Sequence, residues 1–192
     1  GVDDVLSSNG ALIAFNSTID GAHGLTVDSG AGDINLNAAV GANTKLSSLK
    51  TVGTGTTNLN SGTVDTNGDQ SYGEAVLLGA KTVLGSNDGS VTFSKTLDGA
   101  HDFTVNAGAG NINFLGAVGH ATPLSSLTLT GTGVTDINGG TIDTNGAQSY
   151  GEAVVLSDDA WLTSNNGAVT FWKTVDGTVI GQQGLTVDGG TG

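Results

Sequence analysis

Apolar residues along this chain come in pairs split by a single polar position, and each pair is closed off by a turn word. In the first half the pairs are Leu25/Val27, Ile34/Leu36, Val76/Leu78 and Val91/Phe93, with Leu46/Leu49, Leu59, Val64 and Val83/Leu84 marking the other apolar groups. A period of two places such residues on one side of a β-strand and their neighbours on the other. Between the groups lie Asp28-Ser29-Gly30, Gly53-Thr54-Gly55, Thr66-Asn67-Gly68-Asp69 and Ser86-Asn87-Asp88-Gly89. Asn-Gly and Asp-Gly form turns because both residues tolerate positive φ. The pattern predicts many short strands joined by tight turns, in preference to helices.

The pattern is also written twice. Asp20, Asp98 and Asp176 each precede a glycine and are evenly spaced along the chain. At the same offset Gly-Ala-Gly-Asp-Ile at 30–34 answers Gly-Ala-Gly-Asn-Ile at 108–112, and Tyr72-Gly73-Glu74-Ala75-Val76 answers Tyr150-Gly151-Glu152-Ala153-Val154. A fixed period of this kind marks a repeat array. The chain reads as one continuous array over residues 1–192: a lead-in at 1–4, repeat one at 5–82, repeat two at 83–160 and a partial third repeat at 161–192. Beginning and ending in mid-repeat, it is expected to be a slice of a longer array. Leu25, Leu46, Val64, Leu84 and Phe103 follow one another at nearly equal steps. That spacing predicts a β-solenoid with rungs of about 19–20 residues, four to each repeat. Leu25 becomes Phe103, Leu36 becomes Phe114, Leu59 becomes Ile137 and Val64 becomes Ile142 in the second copy, so these positions are expected to face inward.

The competing architecture is a string of antiparallel β-sandwiches, one per repeat. Against it, Trp161 and Trp172 have Val83 and Ser94 as counterparts, so no tryptophan anchors both copies. Proline and charged residues that commonly guard sandwich edges are also nearly missing.

Composition narrows the function classes. The chain has 33 glycines, one proline, no cysteine and only nine aromatic residues, counted as five Phe, two Tyr and two Trp. Eighteen acids against five lysines give a net charge of −13, which argues against nucleic acid and anionic membrane surfaces as partners. Large like charge keeps a repetitive rod soluble. Without cysteine there is neither disulfide bracing nor a thiolate metal site. No apolar run is long enough to insert in a membrane and no signal peptide is visible, so any targeting segment is expected elsewhere.

Gly-Leu-Thr-Val-Asp at 24–28, Gly-Ala-Gly-Asp-Ile-Asn-Leu at 30–36, Leu-Ser-Ser-Leu-Thr-Leu-Thr-Gly-Thr-Gly at 124–133 and Gly-Ala-Val-Thr-Phe at 167–171 resemble the repeats of very large bacterial surface proteins of the filamentous-haemagglutinin-like kind. The resemblance covers essentially the whole chain. It implies a right-handed parallel β-helix forming the shaft of a secreted or surface-anchored adhesin. The implied partner is a cell-surface or extracellular-matrix ligand, a glycan among the options. The secretion-recognition domain that such proteins carry at their N-terminus is not visible in this sequence. A second expectation, from exposed strand edges at solenoid ends, is end-to-end association into an extracellular filament or biofilm-matrix fibre.

Candidate chemistry is sparse. Asp65, Asn67 and Asp69, followed by Glu74, alternate hard oxygen ligands as in the first half of a calcium loop. The acid needed at the twelfth position is replaced by Val76, and Ala147 answers Asp69 in the second copy. An Asx-rich turn accounts for the same residues without a metal. His23, His101 and His120 have no recurring partners and read as surface or turn residues. Asp158-Asp159 replaces Gly79-Ala80, but a lone acid pair is ordinarily a solvated turn, and glycoside hydrolysis needs two acids set across a groove. No catalytic residue and no resident cofactor is therefore expected. Departures from the repeat mark a candidate ligand contact: Trp172, and the loop 179–183 with Ile180 and Gln182, which is four residues longer than its earlier counterpart. The alternative puts one tryptophan inside a rung. Finally, Thr128-Leu129-Thr130 suggests a flat threonine ladder suited to ice, but Lys50 holds the position of Thr128 in the first copy and is expected to interrupt it.

Overall fold

Strands of two to seven residues alternate inward and outward side chains along almost the whole chain, as at Val91–Phe93 and Ile112–Phe114, where the outer two residues of each triplet are buried. In the computed structural model, which describes residues 2–191, every registered strand pair is parallel and the chain coils as a right-handed β-solenoid of about nine turns. The sandwich alternative is thereby excluded, because it requires antiparallel neighbours. Parallel sheets are ordinarily covered on both sides by helices and read as continuous apolar runs. Here the coil covers its own inner face and water bathes the outer one, which is why alternation survives in the sequence.

Three walls make each turn. The first runs unbroken through nine strands: Asp4–Ser7, Gly24–Gly30, Ser48–Gly53, Gln70–Tyr72, Val91–Phe93, Ile112–Phe114, Val134–Ile137, Ala153–Leu156 and Val175–Gly177. The second carries strands such as Ile13–Phe15, Ile34–Leu36 and Ala75–Leu78, and continues past Leu97–Asp98 through single parallel bridges of Val118 with Leu97 and Ile142. The third begins at the bridges Ile19–Val40–Val64 and passes through Thr82–Gly85, Asp102–Asn106, Ser126–Thr130 and Gln148–Tyr150 to Val169–Phe171.

The rungs are on average longer than the sequence spacing predicts, although steps of the predicted length occur at Thr57 to Val76 and Val64 to Leu84, and the repeat does not contain a whole number of them. Successive partners on the first wall are Leu25, Leu49, Gln70, Val91 and Ile112, and each step exceeds the expected rung. Phe103, one repeat after Leu25, pairs with Thr82 and Leu127 on the third wall. Eleven steps from wall to wall, three to a turn, lead from one residue to the other, so one repeat makes three and two-thirds turns rather than four. Equivalent residues consequently stand on different walls. Sequence spacing missed this because Leu46 and Val64, taken as rung markers, mark a corner and the third wall.

The interior is a continuous column of Val, Ile, Leu and Phe, including the fully buried Leu36, Phe114, Val64 and Phe103. Phe93 stacks on Tyr72 with ring centroids 5.1 Å apart and on Phe114 at 5.4 Å, while Phe103 meets it edge-on at 5.8 Å. Tyr150 and Phe171, one repeat after Tyr72 and Phe93, stack at 4.9 Å on the third wall. Offset and edge-on arrangements of this kind are favoured by the ring quadrupole.

Acids at the corners tie turn to turn. Asp3 accepts from the Gly24 amide at 2.8 Å, Asp33 from Thr56 at 2.9 Å, Asp69 from Ser90 at 2.8 Å and Asp88 from Ala109 at 3.0 Å. Asp20 accepts from Asn43 and Thr44, and its equivalent Asp98 accepts from Ala121 and Thr122. Each bond reaches forward by one rung. Asparagines do the same between side chains: Asn60 donates to Asn37, and Asn37 to Asn16, both at 2.7 Å. Amides left open at a turn are satisfied by the rung below.

Candidate functional site

The predicted calcium triplet lies around one corner of a single rung, and its members face separate places on the next rung. Asp65 ends the strand Thr63–Asp65 with its carboxylate leaning over Gly85 of the next rung, where any side chain would collide with Oδ1. Asn67 Oδ1 accepts from Asn87 Nδ2 at 3.4 Å, and Asp69 Oδ1 is engaged by the Ser90 amide. Glu74 lies apart, buried beneath Gly53. Among the described residues, no group of three His, Cys, Asp or Glu side chains gathers to hold a metal.

Asp65 instead walls a shallow groove of about 380 Å3 on the third wall, with Lys45, Val83, Gly85, Asn87, Asn106 and Gly108. The missing side chain at Gly85 opens it. Asn106 pairs with Gly85 in register from above, and the Leu46–Thr66 bridge aligns Lys45 with Asp65 from below. The groove thus offers a cation, a carboxylate and two amides over an apolar patch at Val83, which suits a small hydroxylated or zwitterionic ligand chemically. Lys45, Asn87 and Asn106 were not brought together from the sequence, because they come from three different rungs. In the second copy the same positions are Pro123, Asp143, Trp161, Thr163 and Asn165, and the larger Trp161 and Thr163 stand where Val83 and Gly85 leave space.

Both tryptophans are on the surface, Trp161 at 53% and Trp172 at 71% exposure, which removes the reading that one fills a rung. They are on different walls. Trp161 sits between Thr141 and Thr186 on the second wall, whereas Trp172 follows Val169–Phe171 on the third and donates from Nε1 to Ser149 Oγ at 3.1 Å. Ile180 is fully exposed and Gln182 is exposed as well. The inserted loop leaves the ladder intact: Ala160 pairs with Leu185 just as its counterpart Thr82 pairs with Phe103, and the extra residues bulge outward between the two paired positions.

Lys50 does not interrupt a ladder containing Thr128. Lys50 stands on the first wall between Thr26 and Ser71, and Thr128 stands on the third. The outward column through Thr128 runs Thr104, Thr128, Ser149, Thr170, with Val83 below it. The adjacent column, Asn106 and Thr130, supplies only one further threonine. Asp158 accepts from the Asp159 amide at 2.8 Å, and Asp159 from Gly184 at 2.6 Å, so this pair also serves turns. His23 and His120 are exposed and His101 is half-buried.

The word shared most closely by the two copies, Gln-Ser-Tyr-Gly-Glu, is an internal polar bracket. Gln70 donates from Nε2 to the Gly85 carbonyl at 2.8 Å and accepts from the Tyr72 hydroxyl at 2.9 Å. Gln148 repeats this with Thr163 and Tyr150, both at 2.8 Å. Burial pushes both tyrosine hydroxyls far above their ordinary pKa, so they remain donors. Glu74 accepts from Ser29 Oγ and Thr57 Oγ1. The identity between the copies was visible in sequence, but its inward direction was not. Comparison with protein-family models, curated proteins and solved structures finds no match.

Proposed function

We propose that this chain is a rigid β-solenoid segment of a secreted or surface-anchored bacterial adhesin, serving as a shaft that holds a binding surface away from the cell. The observation that carries the reading is axial tying: corner acids and asparagines bond each rung to the next along the coil. A rod stitched in this way resists bending and shear at its corners as well as along its walls. At about 4.8 Å per rung, nine turns give a rod roughly 40 Å long. The high negative charge discourages lateral clumping of such rods.

Two measurements test the proposal. Small-angle scattering of the purified chain is expected to give a rod of that length, and a flexible or beaded profile counts against a shaft. Antibodies raised to the chain are expected to label intact producing cells. Labelling seen only after lysis would overturn the surface assignment. Sedimentation over a range of concentrations separates a shaft from a self-assembling filament, since the shaft stays monomeric.

A further inference from the structure

The chain has two glutamates, Glu74 and Glu152, one repeat apart, and both are buried. Their surroundings differ. Glu74 has a hydroxyl for each oxygen: Ser29 Oγ lies 2.8 Å from Oε1 and Thr57 Oγ1 lies 2.7 Å from Oε2. Thr51 extends the cluster, 3.2 Å from Thr57. At Glu152 the counterpart of Thr57 survives, with Thr135 Oγ1 3.2 Å from Oε2. The counterpart of Ser29 is Ala107 and that of Thr51 is Leu129. Among the described residues, none supplies a hydrogen-bond partner to Oε1 of Glu152.

This oxygen lies against the turn of the rung below. A side chain on Gly131 would collide with Oε1 and would come 2.7 Å from the Gly108 carbonyl. Glycine at 131, with φ of +155°, is what lets the carboxyl fit against that turn. The charged groups facing this corner are few. From the rung above comes Lys173, whose ammonium reaches the Gly131 carbonyl at 3.4 Å and is exposed. The turns 131–133 and 107–111 below carry no charge. The rung beneath them brings only Asp88, already bonded to the Ala109 amide. An ionised carboxylate with one bare oxygen in such a place is strongly disfavoured.

We propose that Glu152 is a proton-held clasp: the corner formed by 107–111, 131–133 and Glu152 is closed while the carboxyl is neutral, and it loosens when that proton is released to solvent, whereas the hydroxyl-lined corner of Glu74 stays closed. Burial pushes the Glu152 carboxyl up, against the smaller opposing pulls of the Thr135 hydrogen bond and Lys173. The sign follows from linkage. A folded-state value above the unfolded one means that the folded corner holds its proton more tightly. The stabilisation is complete below the ordinary glutamate range and is lost as pH rises through the raised folded value.

With only two glutamates, selective 13C-glutamate labelling of the full chain gives two side-chain carboxyl signals, assigned with Glu74→Gln and Glu152→Gln. The Glu152 signal is expected to titrate above the ordinary glutamate range and to move down in Ala107→Ser, which restores the missing hydroxyl. Hydrogen exchange at 131–133, corrected for its intrinsic base catalysis, is expected to report an opening constant rising up to about tenfold per pH unit above the folded value, the limit for one proton. Glu152→Gln should abolish that rise. The proposal is overturned if Glu152 titrates within or below the ordinary range, or if Glu152→Gln opens with the same pH dependence as the parent chain.

Discussion

The Tyr72 hydroxyl donates to Gln70 Oε1 at 2.9 Å inside a rung that water does not reach. Removing one partner of a buried pair leaves the other unsatisfied, which costs about 1–3 kcal/mol. Tyr72→Phe is therefore expected to lower stability by that amount despite keeping the aromatic stack on Phe93. Urea unfolding midpoints read the difference, and Tyr150→Phe should match it within experimental scatter. A neutral result in both would mean that the bracket contributes nothing net.

Phe93 sits at the crossing of three aromatic contacts. Phe93→Ala is expected to cost about 3–5 kcal/mol, the usual range for deleting a buried aromatic ring. Because rungs contact mainly their neighbours, the loss should be local. Hydrogen exchange is expected to accelerate around 70–72, 91–93 and 112–114 before it does so near 150–156.

Gly133 stacks directly on Gly110, and a Cβ at Gly133 would collide with the Gly110 carbonyl oxygen. Gly133→Ala should thus force the two turns apart and destabilise by about 1–3 kcal/mol, as overpacking does. Gly181 has open space around it, so Gly181→Ala meets no such collision and strains only its own positive φ. Thermal unfolding of the two variants side by side checks the distinction, with the larger loss expected at Gly133.

Asp20 holds the loop of the next rung through the Thr44 amide first, and then the Asn43 side chain and amide, and these bonds keep its carboxyl below the ordinary aspartate value. The folded value lies below the unfolded one, so the stabilisation is present above the ordinary carboxylate range and is lost as pH falls through the lowered value. Asp20→Asn is expected to flatten the acid limb of a stability-versus-pH curve and leave its neutral region less affected. An unchanged acid limb would show that the loop is held by other contacts.

Calcium at millimolar concentration is expected to leave the melting temperature unchanged relative to EDTA. Asn67 and Asp69 turn their oxygens toward separate partners, and Asp65 lines the groove with Lys45 instead of joining them. Calorimetry in the two buffers decides this, and a rise with calcium would restore the triplet as a ligand set.

Much of the architecture was legible because burial imposes a period of two. Leu36, Val64, Phe103 and Phe114 all proved inward, as the substitution of apolar for apolar between copies indicated. Rung length was misjudged because corners also contain apolar residues, and Leu46, buried at a corner, looks like a wall residue in one dimension. The groove escaped detection for a related reason: Lys45, Asp65 and Asn106 are far apart in sequence, and only the register of four successive rungs brings them together. Trp161 and Trp172 were recognisable as departures, but sequence alone did not say whether they faced in or out.

The mismatch between the repeat and the coil has a consequence for how such a chain evolves. A duplicated segment lands on a wall its parent never occupied: Tyr72 and Phe93 stack on one side of the triangle, Tyr150 and Phe171 on another. Copying therefore succeeds only if the three sides are interchangeable moulds, none specialised in width or chemistry. It also turns each surface feature by a third of a revolution, so that identical decorations point in three compass directions and realign only at every third copy. Lengthening the chain by whole repeats would spread its decorations around the rod like a spiral stair rather than line them up on one side.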